Sequence, residues 1–148
     1  MELDDKAWRL LTAIQANARA SLKELADATG LSIPATTERL KRLHESGIVR
    51  GFNADVDPGR VGYPVQAWVG IQVQQPGKAQ FLAKLTESPQ VLECHHVSGH
   101  DSYLMHVIAT SLQDLEAFLS SVNEWGETRT SIVFSTPIQR RPLAHPAP

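Results

Sequence analysis

A chain of 148 residues carries enough apolar surface for one ordinary domain or two small ones. Its composition, 42% hydrophobic and 20% charged, excludes a disordered or collagen-like chain, and its net charge of -2 argues weakly against nucleic-acid binding by the chain as a whole. The single cysteine, Cys94, excludes an intramolecular disulfide and a cysteine-rich zinc framework.

Leu3, Ala7, Leu10, Leu11 and Ile14 recur at helical spacing, and Asp4 can accept hydrogen bonds from the unpaired amides of a first turn. A helix reaching about Ala16 is predicted. After the polar break 17–20, Ser21 and Glu24 form a capping box ahead of Leu22, Leu25 and Ala26, so a short second helix follows. Gly30 supplies a left-handed residue to end it. Ser32 caps a third helix whose first turn tolerates Pro34, since that turn needs no intrahelical amide, and Leu40 and Leu43 face inward. This helix closes at Ser46-Gly47. Residues 48–56 read as extended chain, the strand and wing of a winged helix-turn-helix. With the turn signal Asp57-Pro58-Gly59, the expected DNA-binding domain covers 1–57 and a linker covers 58–63.

From Pro64 the period changes to two: Val65, Ala67, Val69, Ile71 and Val73 alternate with Gln66, Trp68, Gly70 and Gln72. Gln75-Pro76-Gly77 ends that strand. A helix carrying Phe81, Leu82 and Leu85 follows, then a strand over 91–98, a hairpin over 99–102 and a strand over 103–109. Leu112, Leu115, Phe118, Leu119 and Val122 mark a last helix, and 128–136 a last strand. The order β-α-β-β-α-β is that of a split βαβ, ferredoxin-like domain, with both helices on one sheet face and the other left for a partner. The fold class is therefore expected to be α+β: a winged helix-turn-helix, then a ferredoxin-like domain over 64–137. Residues 138–148, with Pro142, Pro146, Pro148, Arg140 and Arg141, have too few apolar residues to pack and are read as a flexible tail.

Positive charge in the first part of the chain is local. Residues 1–55 hold eight basic and eight acidic side chains, yet Arg39, Lys41, Arg42 and Arg50 fall in a short stretch opposed mainly by Glu38 and Glu45. With Leu40 and Leu43 turned inward, Pro34, Ala35, Thr37, Glu38 and Lys41 lie on outward or flanking faces, beside Ser32 at the helix start. Thr37 can donate or accept, Glu38 can accept from cytosine and Ala35 can meet a thymine methyl, while Lys41 or Arg42 can bind guanine or phosphate. Arg19, Arg39 and Arg50 suit phosphate contacts, which set register without reading sequence. The competing explanation is an ordinary three-helix cluster with a solvated basic face.

Cys94, His95, His96, His100 and His106 invite a metal or an enzymatic reading. Alternation sends His95 to the opposite face from Cys94 and His96, and no acidic partner completes a site, so no metal, cofactor or catalytic residue is expected. No nucleophile-base pair or phosphate-cradling loop stands out. The hairpin Ser98-Gly99-His100-Asp101 suits a free amino acid, because backbone groups approach closely at glycine and Asp101 can accept from an ammonium. Turn preference alone explains the same residues.

The run Gly30-Leu31-Ser32, followed by Glu38-Arg39-Leu40-Lys41-Arg42-Leu43 and Gly47-Ile48-Val49, resembles the Lrp/AsnC family, the feast/famine regulators of bacteria and archaea. The likeness includes Leu3-Asp4 and Leu10-Leu11. It continues through Glu93-Cys94-His95-His96-Val97-Ser98-Gly99, Tyr103-Leu104-Met105 and Thr128-Arg129-Thr130-Ser131, and so covers nearly the whole chain to about Pro137.

The resemblance implies a transcription regulator that binds double-stranded DNA. It also implies a C-terminal RAM (regulation of amino acid metabolism) domain that pairs into homodimers, often assembled into octamers, with an amino acid bound between dimers. Ser98, Gly99, His100 and Asp101, with Tyr103 and with Thr130 and Ser131 contributed across an assembly interface, would form the effector site. Asp101 would hold the ammonium and backbone amides the carboxylate. Two departures stand out: Ala7 replaces a second acid in the first helix, and Ser102 instead of an aspartate precedes Tyr103. Some proteins resembling this family are sirohaem decarboxylases on the same two-domain plan. That enzyme is the alternative reading, and the basic third helix favours the regulator. The lone cysteine, the absence of any run near the roughly 18 apolar residues of a membrane span, and an N-terminus of Glu2, Asp4 and Asp5 predict a cytoplasmic protein without a membrane partner.

Overall fold

The computed structural model describes residues 3–146, and in it three side-chain caps set where the first helices begin. Asp4 accepts from the Ala7 amide at 2.8 Å and starts α1 (Asp5–Ala16). Ser21 and Glu24 form the reciprocal capping box of α2 (Leu22–Thr29), and Gly30, at φ 65°, ends it in the left-handed region. Ser32 accepts from the Ala35 amide at 3.4 Å and starts α3 (Ile33–Glu45), with Pro34 in the first turn.

The chain divides into two compact units, one running to Ala54 and joined by the segment from Ile138, the other running from Asp55 to Pro137. In the first, Leu10, Leu11 and Ile14 of α1 close on Leu25, Leu43 and Val49. Thr29 and Thr36 are also buried, each with its hydroxyl donating to a carbonyl one turn back, Leu25 at 2.9 Å and Ser32 at 3.0 Å. Both polar groups are thus satisfied inside the core. Leu22, by contrast, is 40% exposed.

Residues 48–56, expected as strand and wing, form no strand among the described residues. Val49 is anchored in the core and its amide donates to the Leu43 carbonyl at 2.9 Å, while Phe52 and Val56 are exposed. A segment with no neighbouring strand has no ladder to take up its amides and carbonyls. Residues 138–146 also form no helix or strand, but the Gln15 side chain holds both backbone groups of Leu143, at 3.1 and 2.8 Å. The His145 ring lies 4.7 Å from that of Trp8.

The second unit contains β1 (Val65–Ile71), α4 (Lys78–Thr86), β2 (Val91–His96), β3 (Tyr103–Ala109), α5 (Leu112–Val122) and β4 (Thr128–Ile132). The sheet order is β2-β3-β1-β4, and every neighbouring pair is antiparallel. This is the split βαβ arrangement. Val69 and Ile71 of β1 and Met105 and Val107 of β3 turn to the side covered by Phe81 of α4 and Phe118 of α5. Gln66, Trp68 and Gly70, with Leu104 and His106, occupy the alternate face, where the Trp68 and His106 rings stack at 4.8 Å.

The outer strands are shorter than expected. β2 stops at His96, and one further backbone bond, from the Val97 amide to the Ser102 carbonyl at 3.0 Å, closes the hairpin beyond it. β4 stops at Ile132, the partner of Ala67, and Phe134 beyond it is 97% exposed. No helix among the described residues is long and apolar enough to cross a membrane.

Leu43 is 1% exposed where the three helices meet. Leu43→Ala should lower unfolding free energy by about 2–5 kcal/mol, read by urea titration with far-UV circular dichroism. A loss well under about 1 kcal/mol would be inconsistent with that packing.

Candidate nucleic-acid interface and effector site

Helix α3 exposes Ser32, Pro34, Thr37, Glu38, Lys41 and Arg42, while Ala35 and Arg39 are half-buried. The Thr37 hydroxyl donates to the Ile33 carbonyl at 2.9 Å, which leaves its oxygen free to accept. The cations are not bare. Arg42 Nε donates to Glu38 Oε1 at 2.9 Å, and Lys41 Nζ lies 3.8 Å from Glu45 Oε1. Such exposed pairs one helical turn apart hold by only about 0.3–0.5 kcal/mol, so an incoming phosphate or base can displace them.

Arg39 is placed differently from the other arginines assigned to phosphate. It donates at 2.7 Å to Asp4 Oδ1, the same oxygen that caps α1 through Ala7, and so ties α3 to the start of α1. The Arg39 hydrogen bond, helped by the Ala7 amide, holds the Asp4 carboxyl below its ordinary range. Beside this tie lies an open cleft of about 420 Å³ whose walls include Asp4, Ala35 and Arg42. Arg19 and Arg50 are exposed and in no ion pair among the described residues. Of the three, these two keep their charge free for phosphate.

At the other candidate site, residues 97–102 join β2 to β3, with Gly99 at φ 107°. Ser102 fixes this hairpin to the end of β1: its amide donates to Ile71 at 2.8 Å and its hydroxyl accepts from the Val73 amide at 3.1 Å. Asp101 is thereby laid over Gly70, where an added Cβ would sit 2.7 Å from the Asp101 Cγ and nearer still to Oδ2. The Asp101 side chain is only 22% exposed, and its Oδ1 accepts from Arg129 of β4 at 2.9 Å, with His100 Nδ1 at 3.4 Å. The Arg129 hydrogen bond, followed by that of His100, outweighs desolvation and keeps the carboxyl below its ordinary range.

Strand register sorts the remaining residues. Arg129 pairs with Gly70 and Ser131 with Trp68, on the face of Asp101, whereas Thr130 pairs with Val69 and takes the opposite side of β4. Tyr103 is buried, its ring 5.5 Å from Phe81 and 5.2 Å from His96, so it supports the hairpin from the core. Ser98, Gly99 and His100 are exposed at the hairpin tip. The structure thus gathers His100, Asp101 and Arg129, and leaves Tyr103 and Thr130 on the other face.

A second cavity of about 420 Å³ opens beside the Asp101–Arg129 pair, lined by Gln72, Gln74, His100, Trp125, Glu127 and Arg129. Most of these were missed by sequence reasoning. Gly70, a glycine inside a strand, signals a close approach, and it was the available clue to the Asp101 position. Gln72 and Glu127 meet because Gly126 crosses against the Gln72 carbonyl, a contact that any Cβ there would block. Among the described residues, no three histidine, cysteine, aspartate or glutamate side chains gather as metal ligands would.

Comparison with known proteins matches both units. Residues 3–50 fit the winged helix-turn-helix DNA-binding model and residues 66–143 the Lrp/AsnC ligand binding domain. The HTH-type transcriptional regulator AldR of Mycolicibacterium smegmatis is 32% identical, over 90% of this chain and 82% of its own. The solved structure of LrpC from B. subtilis has a TM-score of 0.89 at 26% identity, covering 95% of this chain and all of that one (100%). A transcriptional regulator of Neisseria meningitidis, solved as its L-Met complex, has a TM-score of 0.86 at 26% identity and covers 96% of each chain.

Two outcomes check this geometry. Asp4→Ala and Arg39→Ala should each lower the melting temperature, and the double variant should lose clearly less than the sum, because both remove one tie; strict additivity would show that the two side chains act separately. In an NMR titration of the Asp101 carboxyl, Arg129→Gln should raise the midpoint, since the lost bond favoured the charged form. In the wild type the stabilisation from Asp101 is complete above the ordinary carboxyl value of 3.8 and is lost as pH falls through the lower folded value.

Proposed function

The chain belongs to the Lrp/AsnC family of HTH-type transcriptional regulators, and from that premise we propose that its DNA binding and its assembly respond to a free amino acid. The observation that carries this reading is α3: a capped helix whose exposed side presents Ser32, Pro34, Thr37, Glu38, Lys41 and Arg42, each able to meet a base edge or a phosphate.

In this reading the N-terminal part of α3 enters the major groove, with Ala35 at its flank. Arg19 and Arg50 clamp phosphates and set the register. Arg39 acts at one remove, by holding α3 against α1. Glu38 and Arg42 release one another at the DNA, the first accepting from a cytosine and the second taking guanine or phosphate.

The sheet face bearing Trp68 and His106 packs against a second copy, and the dimers assemble further into an octamer. Two-fold symmetry then calls for half-sites about 10–10.5 base pairs apart, or a multiple of that spacing. The effector sits at Ser98, Gly99, His100 and Asp101, supported by Tyr103, with Thr130 and Ser131 supplied by a neighbouring copy. The L-Met complex of the Neisseria meningitidis relative supports an amino acid as ligand. A ligand that completes a pocket between copies stabilises the assembly that completes it, and so shifts the population of DNA-binding states.

The functional divisions are 1–57 for DNA binding, 58–63 as linker, 64–137 for effector and assembly, and 138–148 as tail. The regulator acts in the cytoplasm and carries no enzyme activity. The names of its relatives give the sirohaem decarboxylase alternative no support.

Fluorescence anisotropy with DNA from upstream of its own gene, taken across a salt series, tests the reading. Arg19→Ala and Arg50→Ala should each weaken binding evenly across sequences and flatten the log–log salt slope by about one. Glu38→Ala should instead relax the preference at one base pair, by about 1–3 kcal/mol. Binding no tighter than to random DNA under every condition would remove this proposal.

A further inference from the structure

We propose that the amino acid enters by exchange into the Asp101–Arg129 ion pair, its ammonium taking Asp101 and its carboxylate taking Arg129. This rests on the effector reading above and assigns Arg129, a residue outside the hairpin, as the carboxylate anchor.

Three observations carry it. First, the pair already sets one anion and one cation at 2.9 Å, the complement of a zwitterion. Exchange turns one ion pair into two, so neither charge is left uncompensated, which is the condition for placing charges in a partly enclosed site. Second, the two partners are unequally held. Asp101 is 22% exposed, seated over Gly70 and fixed by the neighbouring Ser102, whereas the Arg129 side chain is 54% exposed and lines the cavity. Arg129 is therefore the partner that moves. Its guanidinium has five donors, and the planar fork matches a carboxylate with two parallel bonds, better than backbone amides at a turn.

Third, the cavity reached from Arg129 is of a size that takes small ligands and is walled by Gln72, Gln74, Glu127 and Trp125. The Glu127 carboxylate in the cavity wall disfavours a simple carboxylic acid, which brings no positive charge. A simple amine occupies Asp101 and leaves Arg129 unpaired. A ligand that carries an ammonium and a carboxylate on one carbon satisfies both ends, which suits a free α-amino acid better than a peptide, an amide or a keto acid.

The test uses the full-length chain and isothermal titration calorimetry. A panel of the twenty proteinogenic amino acids supplies the tightest binder, and the probes are that amino acid, its α-carboxamide and its N-acetyl derivative. Arg129→Gln should weaken the free amino acid at least about tenfold, the scale of a lost charged hydrogen bond, while leaving the carboxamide unchanged. Arg129→Lys, which keeps the charge without the fork, should fall between, and guards against a Gln variant that folds poorly. Asp101→Asn should weaken the free amino acid and spare the N-acetyl derivative. Equal loss for acid and carboxamide in Arg129→Gln, or no loss for either, overturns the exchange and leaves the effector reading standing. A wild-type chain that binds its DNA but no amino acid of the panel overturns both.

Discussion

Strand β1 is hydrogen-bonded along both edges, to β3 over its whole length and to β4 over its last five residues, so its register dictates both faces of the sheet. Val69 and Ile71 must point to the helices, and the alternate positions Gln66, Trp68 and Gly70 must then point away. A slip of one residue would exchange the two sets and bury Gln66 and Trp68 in place of the aliphatic core. The hydrophobic penalty of that exchange pins Gly70 between Leu104 and Arg129. Core packing on one side of the sheet thereby determines where the charged site forms on the other.

The same chain of cause explains what was legible in the sequence. Caps at Asp4, Ser21 and Ser32 and the change of period at Pro64 are local signals, and the helices, the strand order of the elements and most of the core follow from them. Residues 48–56 form no strand because strand pairing needs a partner, which they lack within their unit. The charged corner was legible in part: the sequence pointed to Asp101 and His100 but not to the Asp101–Arg129 pair, because the place of Arg129 opposite Gly70 depends on cross-strand register. Adjacency in sequence does not show that Thr130 and Ser131 take opposite faces of β4, which is a matter of register. Tyr103 was read by its position in a motif, while its aromatic neighbours Phe81 and His96 place it in the core.

On α3 the positive charge is real but compensated. Arg42 and Lys41 each carry an acidic partner one turn away, which lowers the attraction of this helix for arbitrary polyanions. Binding must replace these pairs, and a site that offers Glu38 a donor recovers more than one that does not. Arg39 stands apart, since its bond to Asp4 serves the geometry of the helix pair.

Gly70 gives the effector corner an unusual genetic property. Every missense change at that position introduces a Cβ into the space held by the Asp101 carboxylate. The DNA-reading helices lie in the other unit and share no core with it. Alleles at this one codon would therefore displace the Asp101 carboxylate and leave the core of the DNA-reading helices as it is.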